Sequence, residues 1–403
     1  MKKLLSLLLC LALVCSMVAI SSADDTFKVG VVLVGDENEG YTYAHIKGIT
    51  GAAAALGMSE DQIVWYYNVP EDETCYDKCV DLAEQGCSLV ITNSYGHQTY
   101  TKQAAEEYPE VTFVAMTGDQ AKTSGLENFC NAFTAVYESR YVSGVVAGMK
   151  IKELAESGKL SASNYDADGK IKVGYVGAYP YAEVKSGFTA FFLGARSVYE
   201  NISMEVWYTG SWFSLTDEAA AAEKLIADGC VIIGQHADST GAPSAVEAAL
   251  NAGTTVYSVG YNIDMLTAAP NAALTSATNV WEVYYEYAIG AAMKGEKVAT
   301  NWSEGYQTGA VEITPLGPAV AEGTAEAVAA AEEALKAGTL HVFDISTFTV
   351  GGEQVTSYFA IDTDGDWVND SEEVVFDGYL HESYAQAAPC FGLIIDGITE
   401  LNN

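Results

Sequence analysis

Short apolar runs recur along this chain, each followed by a polar cluster and then by a helix-period pattern. Residues 230–264 show it most completely: CVIIGQHADSTGAPSAVEAALNAGTTVYSVGYNID. Val231, Ile232 and Ile233 make the continuous run that a strand covered on both faces requires. Gly234 stops it, and Gln235, His236, Asp238, Ser239 and Thr240 follow. Pro243 opens a helical pattern where its missing N–H costs nothing. Ala245, Val246, Ala249 and Leu250 share one helix face, and Gly253 ends it. A second run reaches Val259, then opens into Tyr261, Asn262 and Asp264. Two parallel strands with polar carboxyl ends are predicted, and ligands bind at such ends in open α/β sheets.

The same alternation begins at Phe27. Strands are predicted at 28–34, 63–67, 88–92 and 111–116, with helices between them from Tyr41 onward, at 76–85 and at 98–108. Their exit loops carry Asp36, Tyr41 and Tyr43, then Asn93 and Tyr95, then Asp119. A helix from Tyr137 follows, with Gly144 and Gly148 spaced for close packing. A second series places strands at 171–176 and 203–208, with exit loops holding Tyr179 and Trp212-Phe213, and helices at 182–199 and 217–228. Such regular alternation predicts doubly wound parallel sheets. Helices are further expected at 279–293, 324–338 and 391–398, a short strand at 309–313, and a hairpin at 340–357 around Gly351-Gly352.

Lys2, Lys3, the apolar run from Leu4 to Ile20 and Ser21-Ser22-Ala23 read as an export signal, residues 1–23. Leu9 and Val14 precede Cys10 and Cys15, where a lipid-modified cysteine needs a small residue, so a plain cleaved leader and an exported, cell-surface or periplasmic protein are expected. Acidic side chains number 54 against 19 basic, a formal charge of −35. Such a surface repels nucleic acid. Cys75, Cys79, Cys87, Cys130, Cys230 and Cys390 lie beyond the leader. Their compartment permits disulfides, but a chain this long does not need them. The phosphate-loop and dinucleotide glycine patterns, G-x-S-x-G and H-E-x-x-H are all absent. Aromatics at strand tips can sandwich a planar ring. The tips therefore suit holding a ligand rather than transforming it, with no cofactor required. Asp36, Asp119 and Asp264 would supply a carboxylate cluster if the protein were instead a secreted nucleoside hydrolase.

Asp362, Asp364, Asp366, Asp370 and Glu373 fall at positions 1, 3, 5, 9 and 12 of a calcium-loop spacing, with Trp367 where glycine is usual. An acidic surface turn is the alternative to a structural calcium site.

GYTYAHIKG (40–48), YESRYVSGVVAG (137–148), GYVGAYPYAEVKSGFTAFFLGARSV (174–198), GSWFS (210–214), GQHADSTG (234–241) and GYNIDM (260–265) resemble, in order and spacing, the basic membrane protein (Bmp) family of substrate-binding proteins, which includes purine nucleoside receptors. The resemblance implies a type I periplasmic-binding-protein fold: two Rossmann-like lobes joined by a hinge that the chain crosses three times. The expected division is 26–134 with 263–306, and 135–262 with 307–403. It implies a monomer that closes on a purine nucleobase or nucleoside and delivers it to an ABC permease, or else signals through a membrane receptor. The site expected is Asp36, Tyr41, Tyr43, Asn93, Tyr95, Tyr179, Trp212, Phe213, Gln235, His236, Asp238 and Asn262. In the family an aromatic at the position of Trp212 stacks on the base, and an acid stands at the position of Asn262. The lysine of the family's nucleoside receptors is missing from Thr275–Trp281. Both departures favour a free base or modified nucleoside.

Overall fold

A computed structural model describes residues 27–364, 366 and 368–402; the expected export signal, residues 1–23, lies outside them. Two sheets, parallel but for one antiparallel edge strand in the second, carry the fold. The first is built from β1 (Val29–Val32), β2 (Ile63–Tyr66), β3 (Leu89–Thr92), β4 (Thr112–Met116) and β5 (Phe129–Ala132), alternating with α1 (Gly40–Ala55), α2 (Glu73–Glu84) and α3 (Gln98–Glu107). The second uses β6 (Ile171–Gly177), β7 (Ile202–Tyr208), β8 (Ile232–Gln235), β9 (Tyr257–Tyr261) and β10 (Ala273–Asn279). Its helices include α4 (Val136–Ser157), α5 (Ala182–Val198), α6 (Leu215–Ala227) and α7 (Gly241–Asn251). After α8 (Trp281–Met293), β11 (Asn301–Trp302) returns to the first sheet and β12 (Val311–Ile313) to the second, followed by α9 (Thr324–Lys336).

Strand order in the first sheet is β11-β5-β4-β3-β1-β2. Val29 pairs with Ile63 on one side and Leu89 on the other. The order reverses around β1, which leaves a crevice between the carboxyl ends of β1 and β3. In the second sheet β6 lies between β7 and β8, so a matching crevice opens at the ends of β6 and β8. All four residues of β1 and of β3 are buried, as their unbroken apolar runs require.

Three segments join the lobes, and they hydrogen-bond to one another. Phe133 and Ala135 donate to the carbonyls of Trp302 and Glu304 at 3.0 and 2.8 Å, and Val280 donates to Ala310 at 2.8 Å. The expected division therefore needs a correction. Residues 273–279 belong to the second sheet, not the first lobe, and the middle crossing lies at Val280. The sequence ALTSATN has no apolar run, yet every residue of it is buried. Polar residues in a central strand hide from a hydropathy reading.

Helices α4 and α5 pack backbone to backbone. A Cβ on Gly144 would lie 2.1 Å from the Phe191 carbonyl oxygen, and one on Gly194 would lie 2.0 Å from that of Tyr141.

The last segment departs from expectation. Around Gly351-Gly352 only an isolated bridge, Val350 to Glu353, forms. Residues 391–397 are not helical; β13 (Phe359–Ile361), β14 (Ser371–Glu373), β15 (Val375–Phe376) and β16 (Tyr379–Leu380) make two small ribbons, and β17 (Ile398–Glu400) adds a parallel strand beside β7. Phe343, Phe348, Phe391 and Ile395 fill the second lobe's core. The segment also touches the first lobe: the Ala388 amide donates to the Gly118 carbonyl at 3.2 Å, and Glu372 pairs with Lys122 at 3.4 Å.

Candidate functional site

A cavity of about 310 Å3 lies between the two crevices. The lobes are closed over it. A Cβ on Gly40, at the start of α1, would stand 3.3 Å from the Asp238 carbonyl of the opposite lobe. Tyr95 and Tyr181 face each other across the mouth with ring centroids 6.1 Å apart.

Seven of the twelve expected residues line this space: Asp36, Tyr41, Tyr95, Trp212, Phe213, His236 and Asp238. Trp212 is held by the Tyr179 ring, edge-on at 5.1 Å, and its carbonyl accepts from the Asp238 amide at 2.8 Å. Tyr41 donates its hydroxyl to the Asn93 carbonyl at 2.5 Å.

The other five do not line the cavity. Tyr43 is 42% exposed and points away from the cavity. Tyr179 does not line it but buttresses Trp212. Asn93 is buried, accepting from the Val34 amide at 2.8 Å and donating to Thr42 at 3.2 Å, which ties β1 to β3. Gln235 turns back on its own loop and donates to the carbonyls of Ala237 and Ser239 at 2.7 and 3.0 Å. Asn262 sits behind Asp238, to which it donates at 2.6 Å. Exit loops foretell which segment meets the ligand; the twist of each loop decides which side chains turn inward.

Sequence reading missed Glu39, Glu183 and Tyr261, which line the cavity, and Arg140 beneath it. Arg140 is 2% exposed. Its guanidinium lies 3.6 Å from the Tyr261 ring centroid and donates to the Tyr175 hydroxyl at 2.9 Å and the Gln235 carbonyl at 2.5 Å. It also meets His236 Nδ1 at 3.2 Å, while His236 Nε2 meets Glu183 at 3.2 Å. A guanidinium only donates, so Nδ1 accepts and Nε2 carries the proton that Glu183 receives. Burial and the neighbouring Arg140 charge both push the His236 pKa down, against the pull of Glu183. His236 is thus a neutral, oriented ring. The signal for Arg140 was a cation in the mostly apolar first half of α4, two turns and more before Lys150 and Lys152.

Four carboxyl groups face this space: Asp36, Glu39, Glu183 and Asp238. The lining includes no Lys or Arg. Each carboxyl is anchored by protein donors: Asn38 and Asn68 on Asp36, Thr42 on Glu39, His236 on Glu183 and Asn262 on Asp238. Burial, then the charges of Glu39 and Glu218, push the Asp238 pKa well up. Glu39 is raised mainly by burial, whereas Asp36 is lowered by its hydrogen bonds to Asn38.

Asp36, Asp119 and Asp264 do not form a hydrolytic cluster. Asp119 accepts from the Tyr95 hydroxyl at 3.0 Å, and Asp264 caps the turn at Met265–Thr267 through the Leu266 amide at 2.9 Å. In the acidic turn, Asp362, Asp364 and Asp370 place ligand atoms within 4.8 Å of one another. Asp366 is not in this group; it accepts from the Val368 amide at 2.8 Å. Glu373 is not in it either; it accepts from the amides of Tyr358 and Val375 at 2.9 and 3.0 Å. The bidentate twelfth ligand of a calcium loop is thus committed elsewhere. The six cysteines are buried and unpaired. No helix among the described residues is long and apolar enough to cross a membrane.

Comparison with known proteins agrees with this architecture. Solute-binding proteins of ABC transporter systems from Aeropyrum pernix and Conexibacter woesei superpose with TM-scores of 0.61 and 0.60, at 15% and 19% identity. The first match covers 79% of this chain and 93% of that one, the second 78% and 98%. A purine-binding protein of Brucella abortus is 32% identical over 295 residues, 73% of this chain and 77% of that one. A Haloferax volcanii protein named as an ABC transporter glucose-binding protein is 30% identical over 66% of this chain and 61% of its own length. Residues 28–339 match the model of the Bmp family, described as ABC transporter substrate-binding protein PnrA-like. The chain belongs to the Bmp family of ABC transporter substrate-binding proteins.

Proposed function

We propose that this protein captures a purine nucleobase or nucleoside outside the cytoplasm, as a monomer, and presents it to an ABC permease. The observation that carries the reading is the cavity itself, whose walls combine aromatic rings with anchored carboxyl acceptors. Trp212, Phe213 and Tyr41 offer faces or edges to a planar ring. Asp238 and Glu183 offer acceptors for ring and amino N–H groups. With four carboxyls and no cation lining it, the cavity disfavours phosphate, so bases and nucleosides are preferred over nucleotides. Asn262 lies behind the cavity, which removes the ribose contact that an acid at that position makes in the family. A free base therefore ranks above a ribonucleoside. The chemistry is capture and release: ligand bridges both sets of strand tips and draws the population to the closed state.

A thermal-shift screen of the mature protein tests this. At a hundred times its Kd, a ligand specific to the folded state adds about 2.7 kcal/mol. Adenine, guanine or their nucleosides should raise the melting temperature; AMP and GMP should not. No product should form on incubation with inosine or adenosine. A response to glucose with none to any purine would replace the ligand and keep the fold.

A further inference from the structure

The Asp238 carboxyl is held from behind by a file of buried amides that ends in the hinge. Asp238 Oδ1 accepts from Asn262 Nδ2 at 2.6 Å, and Asn262 Oδ1 accepts from Asn279 Nδ2 at 2.9 Å. Asn279 Oδ1 in turn accepts from the Thr134 hydroxyl. Asp238, Asn262, Asn279 and Thr134 are 5%, 4%, 6% and 0% exposed. One end of the file opens into the cavity. The other end is hinge backbone: Thr134 lies on the first crossing segment, and Asn279 ends β10 directly before Val280, the middle crossing. Both are braced on the third crossing through the Ala135 and Val280 amides.

The direction of each link follows from the groups available. A carboxylate at Asp238 only accepts, which turns the Asn262 nitrogen toward it and leaves the Asn262 oxygen for Asn279 Nδ2. Asn279 then has only its oxygen left for Thr134, whose hydroxyl donates. The Asn262 backbone is fixed as well, at φ 61°, a left-handed conformation that asparagine tolerates better than most residues. The Asn262 amide donates to the Ala277 carbonyl at 2.9 Å, and its carbonyl accepts from the Thr278 hydroxyl at 2.7 Å. An aspartate here would have no donor for Asp238 and would set one carboxyl against another.

We propose that Asn262 is a positioning residue that couples ligand contact at Asp238 to the interlobe hinge through Asn279 and Thr134. This rests on the reading that Asp238 touches the ligand. When the lobes open, the crossing segments rotate against one another and the file loses its register; when ligand holds Asp238, the file holds the crossings.

The test is a double-mutant cycle between Thr134→Val, outside the cavity, and Asp238→Asn within it. Adenine affinity is measured by calorimetry, and lobe opening by the distance between one fluorophore on each lobe. Thr134→Val should weaken adenine binding about tenfold, the cost of one buried hydrogen bond. It should also shift the ligand-free protein toward the open state. In the Asp238→Asn background the Thr134→Val effect should change by about threefold or more, because linked sites are not additive. A Thr134→Val protein that melts lower but keeps its affinity and its opening equilibrium overturns the coupling, as does full additivity. If the unaltered protein binds no purine, the ligand reading fails separately. The relay is then judged by the ligand-free distance, which must move in both Thr134→Val and Asn262→Asp for the coupling to stand.

Discussion

Replacing Glu382 by Gln should stabilise the folded protein at neutral pH, and the gain should disappear in acid. Glu382 is 1% exposed. Its carboxyl accepts from the Ser186 hydroxyl and from that of Ser383 at 3.0 Å. Burial raises its pKa to about 8 from the ordinary 4.5; the two hydroxyls oppose that shift, and the charges of Glu138 and Glu183 add to it. The folded protein thus retains a proton that the unfolded chain releases above 4.5. Because the folded value is the higher one, the contribution is complete below pH 4.5 and is lost as pH rises toward 8. At pH 7 the gap spans about 2.5 pH units, which amounts to about 3.4 kcal/mol of cost. Gln is neutral throughout and avoids it, and both serine hydroxyls can rotate to meet an amide. Urea unfolding, followed by tryptophan fluorescence, should show a gain of about 3 kcal/mol at pH 7 that shrinks toward zero at pH 4. A loss of stability at pH 7, or an equal effect at both pH values, would refute the reasoning. Either would mean that the fold uses the charge.

Further outcomes follow from the site and the core. Trp212→Ala should weaken purine binding by about 5- to 150-fold, the worth of one base–aromatic stack, with the circular dichroism spectrum unchanged. Gly194→Ala should cost about 1–3 kcal/mol or more of unfolding free energy, read as a lower urea midpoint, since its new methyl would meet the Tyr141 carbonyl; an unchanged midpoint would contradict the close approach of α4 and α5. Burial holds the His45 pKa down at about 3 against an ordinary 6.5. Its stability contribution is therefore present above pH 6.5 and lost as pH falls toward 3, at about 1.4 kcal/mol per pH unit. His45→Gln should flatten that limb of the stability–pH curve, and an unaltered slope would show that His45 takes its proton without penalty.

The alternation of apolar runs and polar tips was legible because most of the parallel strands here are buried on both faces and are written as apolar runs. Asp36, Tyr95, Trp212 and His236 were found for the same reason: they stand directly after such runs. Glu183 escaped because it lies in the first turn of α5, where an acid is equally a helix-start residue. Arg140 escaped because its partners, Tyr175, Gln235, His236 and Tyr261, are distant in sequence and meet only once the second sheet is formed. Gln235 and Asn262 have the right residue types in the right loops, yet face inward to satisfy backbone and neighbouring amides. Only the three-dimensional turn of the loop separates these roles. The stretch 273–279 was misplaced because a strand surrounded by hydrogen-bonding partners can be buried without being apolar.

The strand at Ile398–Glu400 has a consequence for how the chain is made. It covers β7, pairing Ile398 with Met204, and β7 is an alternating strand whose open side would be a template for association with other chains. That edge is synthesised nearly two hundred residues before its cover. If the chain folds as it emerges, the second lobe passes through a stage with ISMEVWY bare on one side. Holding the chain unfolded until residues 398–400 arrive, rather than letting the lobes fold in turn, keeps that stage short. A chain truncated before residue 398 should populate it permanently and self-associate, even with every ligand-contacting residue intact.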